Sequence, residues 1–150
     1  MNSLKSTCEG WGLIMADVKF EDNTIRILKE MEDNINAVLE ECAGEMESQV
    51  KRNTRVDTSQ TKNNWRHHVD TSKHVATIGN PLENAIWEEF GTGEYALEGN
   101  GRKGGWAYVD EEGNGHFTHG KTPSRAFHHA YTALKNPIIN RIQEAMKGMG

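Results

Sequence analysis

Apolar residues recur at steps of three and four from Ile25 to Val50: Ile25, Leu28, Met31, Ile35, Val38 or Leu39, Cys42, Met46 and Val50. Such steps hold side chains on one face of a 3.6-residue turn, so the pattern predicts a long amphipathic helix. Its stripe is expected to bury Leu28, Ile35, Leu39 and Cys42 against a sheet. Asp22, Asn23 or Thr24 can cap its start, and Glu30, Glu32, Asp33, Glu40, Glu41, Glu45 and Glu47 occupy the other face. Upstream, Met15 to Phe20 alternates like a short strand. Residues 1–14 show no period and are read as a dispensable tail before one domain spanning 15–150. Met15 either opens the natural chain or comes after a loose tail.

Beyond the helix the period changes. Val56-Asp57-Thr58-Ser59 has turn chemistry, with Asp57 or Thr58 placed to cap the next element. Trp65–Val69 and Val75–Ile78 read as two short strands joined through Asp70-Thr71-Ser72, and Gly79-Asn80-Pro81 ends the second. Residues 91–120 contain nine of the fifteen glycines, which marks a loop-rich region. Within it Trp106-Ala107-Tyr108-Val109 and His116-Phe117-Thr118 form a plausible hairpin around a turn at 110–115. A final helix is expected from Thr122-Pro123, a cap followed by proline at the first helical position. Phe127, Ala130, Leu134, Ile138, Ile142 and Ala145 or Met146 would line its apolar face, with Asn136-Pro137 kinking or splitting it.

The total of 150 residues suits one ordinary domain with one core. A hydrophobic share of 35% is lean, so part of the chain is expected to be loop or to fold against a partner. The net charge of -5 is uneven, because residues 1–50 hold eleven Asp/Glu against four Lys/Arg. An acidic helix therefore precedes a mildly basic body. Cys8 and Cys42 have no paired spacing and are read as reduced thiols in a cytosolic product. The first twelve residues lack a secretion pattern, and nothing approaches the roughly 20 apolar residues of a membrane span. The expectation is a soluble, unsecreted protein with no membrane partner.

Candidate chemistry changes this picture little. The seven histidines include His67-His68, His116 with His119, and His128-His129. Adjacent residues face opposite sides of a strand or lie about 100 degrees apart on a helix, so neither neighbouring pair readily chelates one ion. His116-x-x-His119 lacks a Cys or carboxylate partner motif. Neither a nucleophile elbow, a phosphate loop nor a dinucleotide fingerprint occurs. Glu88-Glu89 beside aromatics reads as a structural or interface feature. Lys51, Arg52, Arg55, Lys62 and Arg66 around Trp65 are the best nucleic-acid feature, in a chain whose net acidity makes a weak footprint. A metal-dependent hydrolase or nuclease and a nucleic-acid-binding module are the competing readings; the expectation is no enzyme, no cofactor, no metal and no sequence-specific nucleic acid.

Three segments, in order, resemble the tail-component family of long-tailed bacteriophages, neck proteins between head connector and tail tube. Arg55-Val56-Asp57-Thr58-Ser59 is similar to the family's Pro-Val-Asp-Thr-Gly, with Arg for Pro and Ser for Gly. Asn84-Ala85-Ile86-Trp87-Glu88-Glu89-Phe90-Gly91-Thr92-Gly93 looks like its Tyr-Ala-x-x-x-Glu-Phe-Gly-Thr-Gly and is the strongest match, with Asn for Tyr. Gly120 to Phe127 resembles the Gly- and Pro-rich lead-in to its C-terminal helix, with Ala-Phe for the usual Pro-Phe. The resemblance covers roughly residues 15–147. It implies an α+β fold, a small mostly antiparallel sheet flanked by a long N-terminal and a C-terminal helix. It also implies a virion protein that assembles with itself into a ring and touches head-connector and tail-tube or tail-terminator proteins.

Physical reasoning adds candidate positions. Gly91 and Gly93 permit a sharp turn after Ile86, Trp87 and Phe90, which are expected to bury against the sheet. Thirty glycine-rich residues are costly to order alone, so the 91–120 loop is expected to be mobile in the free subunit. Its Trp106, Tyr108 and Phe117 would then anchor a neighbour. The interface and structural candidates are thus Asp57, Thr58, Trp87, Glu88, Glu89, Phe90, Gly91, Gly93, Trp106, Tyr108, Phe117 and Pro123.

Overall fold

In a computed structural model that describes residues 21–56 and 59–148, the chain forms an α+β fold dominated by two helices. The expected tail at 1–14, the strand at 15–20, and Asp57 with Thr58 lie outside the described residues. Helix α1 spans Thr24–Asn53 and α4 spans Ala126–Lys147. They run antiparallel: Asn53 Nδ2 donates to the Ala126 carbonyl at 3.2 Å, while Arg141 pairs with Glu45 at 2.7 Å and lies 3.6 Å from Glu41. One-turn helix α2 covers Gln60–Asn63 and α3 covers Asn84–Phe90.

The strands form two separate antiparallel hairpins. In the first, β1 (Arg66–Asp70) pairs with β2 (Val75–Gly79), His67 opposite Ile78. Its turn closes as the Asp-Thr-Ser signal suggests, Asp70 Oδ1 accepting the Ser72 N–H at 3.1 Å and the Lys73 N–H at 3.2 Å. In the second, β3 (Trp106–Val109) pairs with β4 (Gly115–Thr118) around Asp110.

The core sits where α1, β1, β2 and α4 meet. Met46, Val50, Trp65, Ala126 and Ala130 are buried there, with Ile78, Phe127 and Leu134 packed around them. Trp65 stacks on Phe127 at a centroid distance of 5.9 Å. Alanines at 126 and 130 let α4 approach α1 closely, which larger residues would prevent.

Three sequence expectations are corrected. The apolar stripe of α1 is buried only in its C-terminal half. Cys42, Ala43, Met46 and Val50 are inside, Ile35 and Leu39 are half-covered, and Leu28 is exposed. The reason is length, since at about 1.5 Å per residue a 30-residue helix outruns a 22-residue partner by about 12 Å. Helix α4 begins at Ala126 rather than Thr122, behind Arg125 at φ 52°. Nor is it split at Asn136-Pro137; Pro137 lies inside one continuous helix, where it removes one backbone donor and crowds the carbonyl four residues earlier.

Hairpin β1–β2 is pinned to α1 by a carboxylate–histidine–carboxylate bridge. His67 Nδ1 lies 2.5 Å from Glu47 Oε2 and Nε2 lies 3.0 Å from Glu40 Oε1. Glu40, then Glu47, hold the imidazole pKa above its ordinary value, and Lys51, then His67, hold the Glu47 carboxyl below its own.

Candidate interaction surface

The second and third motif segments meet in one clasp, to which Arg55 of the first is also tied. Helix α3 ends where Gly91 donates to the Trp87 carbonyl at 3.0 Å and takes φ 75°. From there Thr92 and Glu94 run beside His119 to Lys121. The Thr92 N–H donates to the Lys121 carbonyl and the Glu94 N–H to the His119 carbonyl, both at 2.9 Å. The Lys121 N–H returns a bond to Thr92 Oγ1 at 2.9 Å. The approach demands glycine: a Cβ on Gly93 would lie 2.2 Å from the His119 carbonyl oxygen, and one on Gly91 2.9 Å from Pro123 Cδ.

The paired glutamates face inward across this clasp. Both Glu89 oxygens accept backbone donors of α4 at 2.9 Å, Oε2 from Phe127 and Oε1 from His128. A carboxylate at a helix N-terminus satisfies orphan N–H groups and the positive end of the dipole together. Helix α4 has no capping side chain of its own, so α3 supplies the cap. Glu88 pairs with Lys121, and its carbonyl accepts the Ser124 N–H at 2.7 Å. Arg55 completes the clasp, donating to the Thr122 carbonyl at 3.1 Å and its hydroxyl at 3.3 Å. This cross-link was not legible in the sequence, where Arg55 registered as a departure from a motif proline and as one of the basic residues around Trp65.

The outward face of α3 is apolar. Ile86, Trp87 and Phe90, expected to be buried, are 55%, 48% and 49% exposed. The glutamates on the same short helix take the inward positions, Glu89 to cap α4 and Glu88 to pair with Lys121, which turns these three to solvent. With Leu97 and Arg102 they border an open depression of about 550 Å³. Of the loop aromatics, Tyr108 and Phe117 are exposed and Trp106 is half-buried with Arg102 over its ring at 5.8 Å. Tyr108 stacks on His116 at 5.2 Å, and Phe117 meets His119 edge-on at 5.3 Å. Pro123 is half-buried against Gly91.

The polar groups are absorbed in structural bonds. His119 lies 3.1 Å from Glu94 and His116 2.8 Å from Asp110, holding both carboxyls below their ordinary range. Among the described residues no group of three or more His, Cys, Asp or Glu could hold a metal ion. Cys42 is a buried free thiol whose pKa is pushed up by that burial. None of the described helices is long and apolar enough to cross a membrane.

No curated protein and no solved structure matches the chain. A family model does, over residues 19–91, which comprise the long helix, the first hairpin and α3 up to Gly91. The resemblance carried by these residues is to the HK97-gp10-like family, described as "Bacteriophage HK97-gp10, putative tail-component".

Proposed function

We propose that this chain is a non-enzymatic structural protein of a tailed bacteriophage, which completes the tail and joins it to the head by assembling into a ring in the neck. The observation that carries this reading is the orientation of α3: its carboxylates lock the clasp inside while Ile86, Trp87 and Phe90 stand outside on a fixed frame. Apolar residues held rigidly at the surface lose little entropy on docking and are typical binding anchors. Among the described residues Ile86, Trp87 and Phe90 are about half exposed and border one depression with Leu97, an apolar patch of the kind that marks an interaction site. The partners in this reading are further copies of the chain, the head connector, and the tail-tube or tail-terminator protein. It acts in the virion, after assembly in the host cytoplasm.

The test is complementation. A phage lacking the chain should accumulate filled heads and unattached tails under the electron microscope. Wild-type protein supplied in trans should restore joined particles, whereas Trp87→Asp with Phe90→Asp should not, although it folds. Joined, infectious particles without the chain would refute the reading.

A further inference from the structure

The first three turns of α1 stand clear of the other described residues. The hairpin's last bonds to α1 are at Asn36, which donates to the Thr71 carbonyl at 3.3 Å and meets His74 Nδ1 at 2.9 Å. On the other side Arg141 reaches α1 at Glu41, and α4 ends six residues later at Lys147, about 9 Å further on. Residues 24–34 therefore project as an arm about 16 Å long. Ile25, Ile27 and Leu28 on it are 85%, 47% and 54% exposed.

The same subunit offers a receptacle. Between α1, β2 and α4 lies an open groove of about 500 Å³, lined by Leu39, Met46, Ile78, Tyr131 and Ile139 among others. Lys135 also lines it, its ammonium 5.6 Å from the Tyr131 ring centroid. We propose that the arm of one copy seats in this groove of the next, Ile25 and Leu28 entering between β2 and α4 with the arm's carboxylates toward Lys135.

Charge favours this occupant. Residues 21–34 hold Glu21, Asp22, Glu30, Glu32 and Asp33 against Arg26 and Lys29, while Lys135 is the cation that lines the groove, Arg141 being engaged by Glu41 and Glu45 of its own subunit. Continuity of the helix excludes self-docking: Leu39 and Met46 of α1 are part of the groove, and Leu28 lies about 16 Å along the same rod from Leu39. A helix with anchors at i and i+3 is a standard ligand for an apolar groove. Arm and groove are different surfaces, so each copy gives one contact and receives another, and a suitable rotation closes a ring.

The inference rests on the self-assembly in the proposed function and names its contact. Ile25→Asp with Leu28→Asp disables the arm, and Ile139→Asp disables the groove; all three positions are exposed. By sedimentation velocity each variant alone should self-associate at least ten-fold more weakly than wild type, with an unchanged circular dichroism spectrum. Their equimolar mixture should yield one-to-one heterodimers and nothing larger, because only one good arm and one good groove remain. Should Ile139→Asp melt early, Lys135→Glu replaces it. An arm variant that associates like wild type, or a mixture without heterodimers, overturns the contact. A wild-type chain present in virions but monomeric at every concentration overturns it while sparing the tail role. Arm-dependent association of a chain absent from virions refutes the tail role alone.

Discussion

Replacing Glu89 by alanine should unfasten α4 from the clasp. Its two oxygens accept the Phe127 and His128 N–H groups at 2.9 Å, and no side chain of α4's own first turn can substitute. Loss of an N-cap costs about 0.5–2 kcal/mol, and loss of an anion at the dipole's positive end a further 0.3–1, roughly. Phe127 is half-buried, so water reaches its N–H incompletely. The expected cost is therefore about 2–3 kcal/mol, toward the upper end of the range for a half-buried donor left unpaired. Glu89→Gln keeps one acceptor oxygen and should lose about half as much. Urea unfolding followed by circular dichroism reads this directly: with a slope of about 1–3 kcal/mol per molar, the midpoint should fall by about 1 M for alanine. Exposed Glu111→Ala is the control. If Glu89→Ala moved the midpoint no further than Glu111→Ala, the carboxylate would not be the cap and the clasp would be held by backbone bonds alone.

Other consequences are direct. Met46→Ala, in the core, should cost about 2–5 kcal/mol, while Leu28→Ala on the exposed arm should cost under about 1 kcal/mol in the isolated subunit; equal melting shifts would contradict the burial pattern. Gly93→Ala should destabilise by about 2 kcal/mol or more, since its φ of 60° is unfavourable for alanine and the added Cβ would strike the His119 carbonyl; a neutral result in thermal melting would show that the two strands separate freely. The His67 bridge makes stability depend on pH in both directions. His67 is raised, so its contribution is full below its ordinary 6.5 and fades as pH rises through the raised value. Glu47 is lowered, so its contribution is full above its ordinary 4.5 and fades as pH falls through the lowered value. Melting temperature should therefore peak between these two ordinary values, and His67→Gln should flatten the upper flank; an unchanged flank would remove His67 from the explanation.

Periodicity exposed the elements well and their surroundings poorly. The steps from Ile25 to Val50 located α1 because a helix needs only its own backbone to set its period. How much of that stripe is covered depends on the length of α4, which no window within α1 can report. Both hairpins followed from local turn chemistry at Asp70 and Asp110, each of which accepts backbone donors within its own turn. The start of α4 was misplaced for the converse reason. Thr122-Pro123 is a sound local signal, but the cap comes from Glu89, 38 residues away from its partner Phe127. Local rules lose wherever a distant carboxylate takes over a local task.

The same competition explains α3. Seven residues cannot present both an apolar and an acidic face to one neighbour. Hydrophobicity alone would send Ile86, Trp87 and Phe90 inward. Yet a carboxylate turned to solvent there would leave α4 uncapped and Lys121 without Glu88, and the turn at Gly91 would lose the anchor that sets its direction. With the carboxylates inside, the apolar cost at the surface is recoverable, because a partner can cover Trp87 and Phe90 later. A free subunit bears that exposure continuously, whereas in the proposed ring a neighbour would cover it. On the proposed reading the arrangement favours the bound state, because the frame that holds these side chains outward is already built in the free subunit.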